Sequence, residues 1–193
     1  MVDECVRKSM CRKTREEILK KRFPMRFSRW FDESHVKNTN CYGYVFNMWI
    51  VSEDDDRFSY LGWTERDAKP YYIKEEAEEA LLLDMKNLRF KVRKLKNIPK
   101  PRTNRINFAF FVGKEGEKLN GDFHFVRQNH DGSWSDKLGF GGEVEKFKDS
   151  DGKICLPHKA NYDEIEFVGY YQVLVKWGVQ DANQYSSFYF NSF

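Results

Sequence analysis

The sequence predicts an α+β fold, with N-terminal helices packed on an antiparallel sheet built from the C-terminal half. Two observations carry this. Residues 74–87 are a run of strong helix formers with glutamates at the start, where they complement the helix dipole. From Ile106 onward the apolar spacing becomes two, and Gly- and Asp-containing turn signals separate the runs. Helical segments grouped first and strands grouped after them give the order of an α+β domain. At 193 residues the chain reads as a basic N-terminal arm and helix over 1–30 followed by a single domain over 31–193.

Residues 1–13 read as disordered or loosely attached. Thr14-x-x-Glu17 is a capping box that starts a helix, and Pro24 stops it. Phe23, Met25, Phe27, Trp30 and Phe31 form a docking stretch. The polar run Asn38-Thr39-Asn40 supplies N-cap chemistry for a helix that begins at Cys41 and ends near Trp49–Val51. Residues 52–57 are an acidic surface loop. Gly62 and Pro70 break the next segment, and the helix over 74–87 follows. Leu88, Phe90 and Val92 then alternate with Arg89, Lys91 and Arg93, as in a half-buried strand with a basic outer face. Further strands are expected over 106–113, 122–129, 133–138 and 164–177. Residues 186–193 are a last strand or a docked tail.

Net charge is +3, but residues 1–30 carry ten Lys/Arg against four Asp/Glu, leaving −3 for the remainder. Residues 85–105 add nine Lys/Arg and no acid. Such blocks suit a protein partner for the N-terminal arm, or nucleic acid as the weaker alternative, but a charge count locates no groove. No stretch reaches the ~20 apolar residues of a membrane span. The N-terminus lacks the apolar region of a signal peptide, which predicts a cytoplasmic protein or one delivered to another cell by a different route. Cys5, Cys11, Cys41 and Cys155 form no C-x-x-C pair and no zinc spacing, so free thiols and no metal or cofactor are expected.

The candidate chemistry begins at Cys41. A cysteine in the first turn of a helix faces the positive end of its dipole, which favours a thiolate. The candidate base is His124. In a strand it shares a face with Asp122, Val126 and Gln128, while Phe123 and Phe125 face the other way. The loop His130-Asp131-Gly132 fits a type I turn with a left-handed glycine and a G1 bulge. Counting outward from Asn129 opposite Ser133 places Val126 opposite Asp136 and His124 opposite Leu138. Asp136 is then diagonal to His124 on the same face, within side-chain reach. A two-residue loop would throw it to the other face. Each residue alone has a bland role: a buried helix cysteine, a structural histidine, a hairpin acid. Together they supply a nucleophile, a base and an orienting group. His35 lies in a loop too near the cysteine to be a strong base candidate, and His130, in a turn, and His158, in a loop after Pro157, read as surface residues.

The order Asn40-Cys41-Tyr42-x-Tyr44, then Asp122-aromatic-His124-x-x-Arg127-Gln128, then Gly132-x-Trp134-Ser135-x-Lys137, resembles a group of bacterial and phage-type proteins. Their second block usually reads Asp-Tyr-His-x-x-Arg-Gln…Trp-Ser-His-Lys. That group is similar to papain-fold cysteine hydrolases of the NlpC and CHAP kind. The resemblance covers roughly residues 38–48 and 121–175, including Phe167-Val168-Gly169-Tyr170-Tyr171. It implies a papain-like domain, Cys41 as nucleophile, His124 as base and position 136 as orienter. This chain has Asp136 where the group usually has histidine, and an aspartate orients an imidazolium equally well. The implied activity is thiol-dependent cleavage of an amide in a peptide or protein substrate, or deamidation of glutamine. The Cys41 N–H and one further donor would hold the oxyanion. Asn40, Asn38 and Gln128 are candidates for that donor, and Tyr42 is a substrate-side candidate. Two other readings compete: a binding module that uses the basic stretch over 86–105, and an inactive papain-like shell that binds a partner.

Overall fold

The structure, a computed structural model, describes residues 37–46, 60–65, 73–102 and 105–174. The expected helix from Thr14, the docking stretch, the acidic loop, the far end of the Cys41 helix and the C-terminal segment lie outside these residues. Within them the architecture is α+β. Two helices, α1 (Cys41–Phe46) and α2 (Lys74–Asn87), precede six strands. The strands are β1 (Lys91–Leu95), β2 (Arg105–Gly113), β3 (Phe123–Gln128), β4 (Trp134–Lys137), β5 (Val144–Lys146) and β6 (Ile165–Leu174). They form one antiparallel sheet in the order β1-β6-β2-β3-β4-β5. The described helices are not N-terminal, a correction to the expected layout. They form where their own start signals lie, at Asn40 for α1 and at Glu75 and Glu76 for α2. Among the described residues no helix is long and apolar enough to cross a membrane.

The strand expected from Leu88 begins three residues later, because the helix uses those residues to close. Arg89 adopts a left-handed backbone (φ 59°), the Phe90 N–H donates to Met85 O (2.8 Å), and the Arg89 N–H donates to Lys86 O (2.9 Å). That pair of bonds is a Schellman closure with arginine in the place where glycine is usual. Leu88 is buried as the helix cap, and β1 starts at Lys91. The strand β5 was not anticipated: three residues are too few to show a period. Its exposed Glu145 and Lys146 put charge on the edge strand.

Each sheet face has its own core. On one, α1 and α2 bury Cys41, Tyr42, Val45, Leu81 and Met85 against Phe108, Phe110 and Phe125. On the other, Phe111, Val126, Trp134, Phe147 and Tyr170 pack together under the 147–165 connection. With both faces covered, β2 is buried along nearly its whole length, which accounts for its continuous apolar run. The polar exceptions on the second face form an amide chain across three strands. Gln172 donates to Asn107 Oδ1 (2.7 Å), Asn107 to Gln128 Oε1 (2.8 Å), and Gln128 to Pro99 O (2.8 Å). Each of these buried amides is satisfied by its neighbour.

Candidate active site

Cys41 enters the sheet at the start of α1. The Asn40 carboxamide oxygen accepts from the Gly43 N–H (3.0 Å), and the Asn40 carbonyl accepts from Tyr44 N–H (3.0 Å), so Asn40 is the helix cap. The residues after the cysteine pin the helix. The Tyr42 hydroxyl donates to Asp84 Oδ2 (3.0 Å) and its ring stacks on Phe125 (centroids 4.6 Å). Tyr44 shares a 2.7 Å hydrogen bond with Ser135, and the buried Arg127 donates to the Tyr44 carbonyl (3.1 Å). Cys41 as a residue is buried, 5 % exposed.

The hairpin adopts the register that its turn implies. Gly132 is left-handed (φ 90°), Asn129 N–H donates to Ser133 O (2.7 Å), and Val126 lies opposite Asp136. Asp136 therefore shares a face with His124, and Nε2 of the ring meets Asp136 Oδ2 at 2.9 Å. Beyond the Val126–Asp136 pair the β3–β4 register stops, although both strands run on. Carbonyls alternate along a strand. That of Asp122 accepts from Gly113 on the β2 side, so that of Phe123 points toward β4, into the split. There it accepts from the Cys41 thiol (3.9 Å). Cys41 belongs to the core on the helix side and His124 to the opposite face, and both line the cleft that lies where the two strands no longer pair.

The ring feels both neighbours. Burial alone would depress the His124 pKa. Hydrogen bonds with Asp136 and Cys41, and the charges of the same two residues, outweigh it and raise the value to about 10. Asp136 holds Nε2, so Nδ1 is the ring nitrogen that this bond leaves unused. Tyr162 closes the far side. Its ring meets Phe111 and its hydroxyl donates to Lys148 O (2.5 Å), and its own pKa is pushed up by burial and then by the charge of Asp136.

A cleft of about 630 Å³ opens there, lined by Asn40, Cys41, His124, Leu138, Phe140 and Tyr162 among others. Asn40 is the one expected oxyanion donor that lines it. Asn38 is exposed and outside the cleft. Gln128 lies four residues along β3 with its amide spent on the chain that joins Asn107 to Pro99. Tyr42 points away from the cleft, to Asp84. Two residues that sequence reasoning did not single out also matter. Asp84 anchors α1 from the α2 side. Lys137 is wholly buried beside the split. The Trp134-Ser135-x-Lys137 block held the only sequence signal for that lysine. Among the described residues no group of three or more His, Cys, Asp or Glu is placed to hold a metal ion. No family model matches the chain, and no curated protein and no solved structure matches it either.

Proposed function

We propose that the chain is a thiol-dependent amide hydrolase of papain-like arrangement, with Cys41 as nucleophile, His124 as base and Asp136 as orienter. One observation carries the reading: a single buried imidazole holds a carboxylate at Nε2 and lines one cleft together with a cysteine at a helix start. The substrate is a peptide or protein amide. The Cys41 thiolate attacks the carbonyl carbon, a C–S bond forms, and the electron pair of the C=O moves onto oxygen. The Cys41 N–H is at the start of α1, where backbone donors are unused by the helix, and Asn40 is beside it. The oxyanion collapses, the C–N bond breaks, and imidazolium His124 gives its proton to the leaving nitrogen. Neutral His124 then takes a proton from water, the hydroxide attacks the thioester, and the acid leaves as the thiol is restored. With ammonia as the leaving group, the same steps deamidate glutamine.

The test is alkylation of the full chain with iodoacetamide below neutral pH, with Cys155 as internal control. Cys155 is the more exposed of the two, and burial and the Asp149 charge push its thiol pKa up. Cys41 is expected to label first despite its burial, and His124→Ala to slow it by at least about tenfold. If Cys41 reacts no faster than Cys155, the hydrolase reading fails and a binding protein replaces it.

A further inference from the structure

Lys137 follows Asp136 on β4, so its side chain leaves the sheet on the opposite face, the one that carries α1. It is wholly buried. A lysine is almost never buried to that degree unless a carboxylate pairs with it. Among the described residues no carboxylate does, and its one hydrogen bond runs from Nζ to the Gly139 carbonyl (2.7 Å). The Gly139 that accepts this bond lines the cleft together with Cys41; burial pushes the ammonium down to about 8, and the charge of Cys41 works the other way. An isolated buried ammonium is costly, and an apolar side chain of similar length would remove the cost. The position therefore retains a cation at the expense of stability.

We propose that Lys137 is a positioning residue for the nucleophile: its sealed ammonium favours the charged form of the Cys41 sulfur from the helix side, while His124 and Asp136 act from the opposite face. The inference rests on the hydrolase reading, because it is a thiolate that the cation serves. Consecutive residues of β4 point to opposite faces, so Asp136 and Lys137 deliver an acid and a base to the two sides of one gap. The bond to Gly139 also ties down the turn that carries Leu138 and Phe140 at the cleft. On the helix side, Tyr44 of α1 and Arg127 of β3 face the same region. On the cleft side, Asp122, Asp163 and Glu164 line the approach and oppose a thiolate. With the buried Arg127, Lys137 is a cation that offsets them from within.

The experiment is the pH profile of Cys41 alkylation in the full chain, compared among wild type, Lys137→Met, Lys137→Gln and Lys137→Arg. The Met and Gln variants are expected to lose on the order of tenfold in rate below neutral pH and to move the profile upward. The Arg variant is expected to keep the wild-type profile. Thermal unfolding should show Lys137→Met no less stable than wild type. The Gln variant can keep the Gly139 hydrogen bond without the charge, and it stands in where the Met variant fails to fold. An unchanged profile in either neutral variant overturns the proposal, whatever its stability. If His124→Ala still slows labelling while the neutral variants do not, only the role of Lys137 is lost. If His124→Ala has no effect, it is the hydrolase reading that is lost.

Discussion

Asp84 and Asp136 are both buried carboxylates tied to α1, and they do opposite work. Asp84 accepts four hydrogen bonds: from the Tyr42 hydroxyl (3.0 Å) and Gly62 N–H (2.9 Å) at Oδ2, and from the Thr64 N–H (3.1 Å) and hydroxyl (2.7 Å) at Oδ1. Its donors are fixed and none titrates near neutral pH. It joins α2, the 3-10 turn at Trp63–Glu65 and α1 into one unit. Asp136 instead meets a single titratable ring that opens onto a cleft. A carboxylate enclosed by permanent donors holds a structure, whereas one that holds a proton-exchanging group beside a sulfur can hold a reaction. Three substitutions separate the two roles, the largest effect first.

Asp84→Ala is expected to cost about 3 kcal/mol or more of unfolding free energy, because it strands several buried donors at once. The measurement is the denaturant midpoint at unchanged m-value. Burial raises the Asp84 pKa, and its hydrogen bonds offset only part of that. A raised carboxyl is most at ease when protonated, so its contribution is full at acid pH and declines as pH rises through the raised value. A loss under about 1 kcal/mol would mean that the hub is not structural.

Asp136→Asn should cost about 1–3 kcal/mol, because it leaves a buried imidazolium without its carboxylate, and slow Cys41 alkylation on the order of a hundredfold. The His124 pKa is raised to about 10 from an ordinary 6.5. That contact stabilises the fold fully below pH 6.5, and the contribution is lost as pH rises through about 10. Asparagine removes one hydrogen bond and one charge that raise the ring, so its imidazole titration, followed by NMR, should fall. A ring that titrates unchanged in the variant would separate Asp136 from the site.

The hairpin register was legible because a turn of known length sets parity, and parity alone puts Asp136 on the face of His124. The α2 helix was legible because its composition is one-sided. Asp84 was not, since an acid inside a helix signals nothing until its donors, 20 and more residues away in sequence, are placed around it. Gln128 looked available because a strand pattern shows its face but not the neighbouring strands that use its amide. The split between β3 and β4 was also hidden. Pairing rules predict that a ladder continues, and only the packing of α1 shows where it stops. Lys137 was hidden for a similar reason: the motif includes it, but nothing in the sequence shows the helix-side packing that buries it.

Tyr42→Phe is the smallest change and the sharpest test of the contrast. It removes the hydroxyl that links the residue after Cys41 to Asp84, and keeps the ring that stacks on Phe125. Burial first, and then the Asp84 charge, raise the hydroxyl's pKa well above its ordinary value, so it remains a donor at any working pH. The expected cost is about 1 kcal/mol, since Asp84 keeps three other donors. The sulfur should not move. The Asn40 cap, the Tyr44–Ser135 bond and the Arg127 contact still fix α1, so Cys41 alkylation should stay within about twofold of wild type. A large fall in rate with the same small loss of stability would place Asp84 inside the chemistry, and the division between the holding carboxylate and the reacting one would break there.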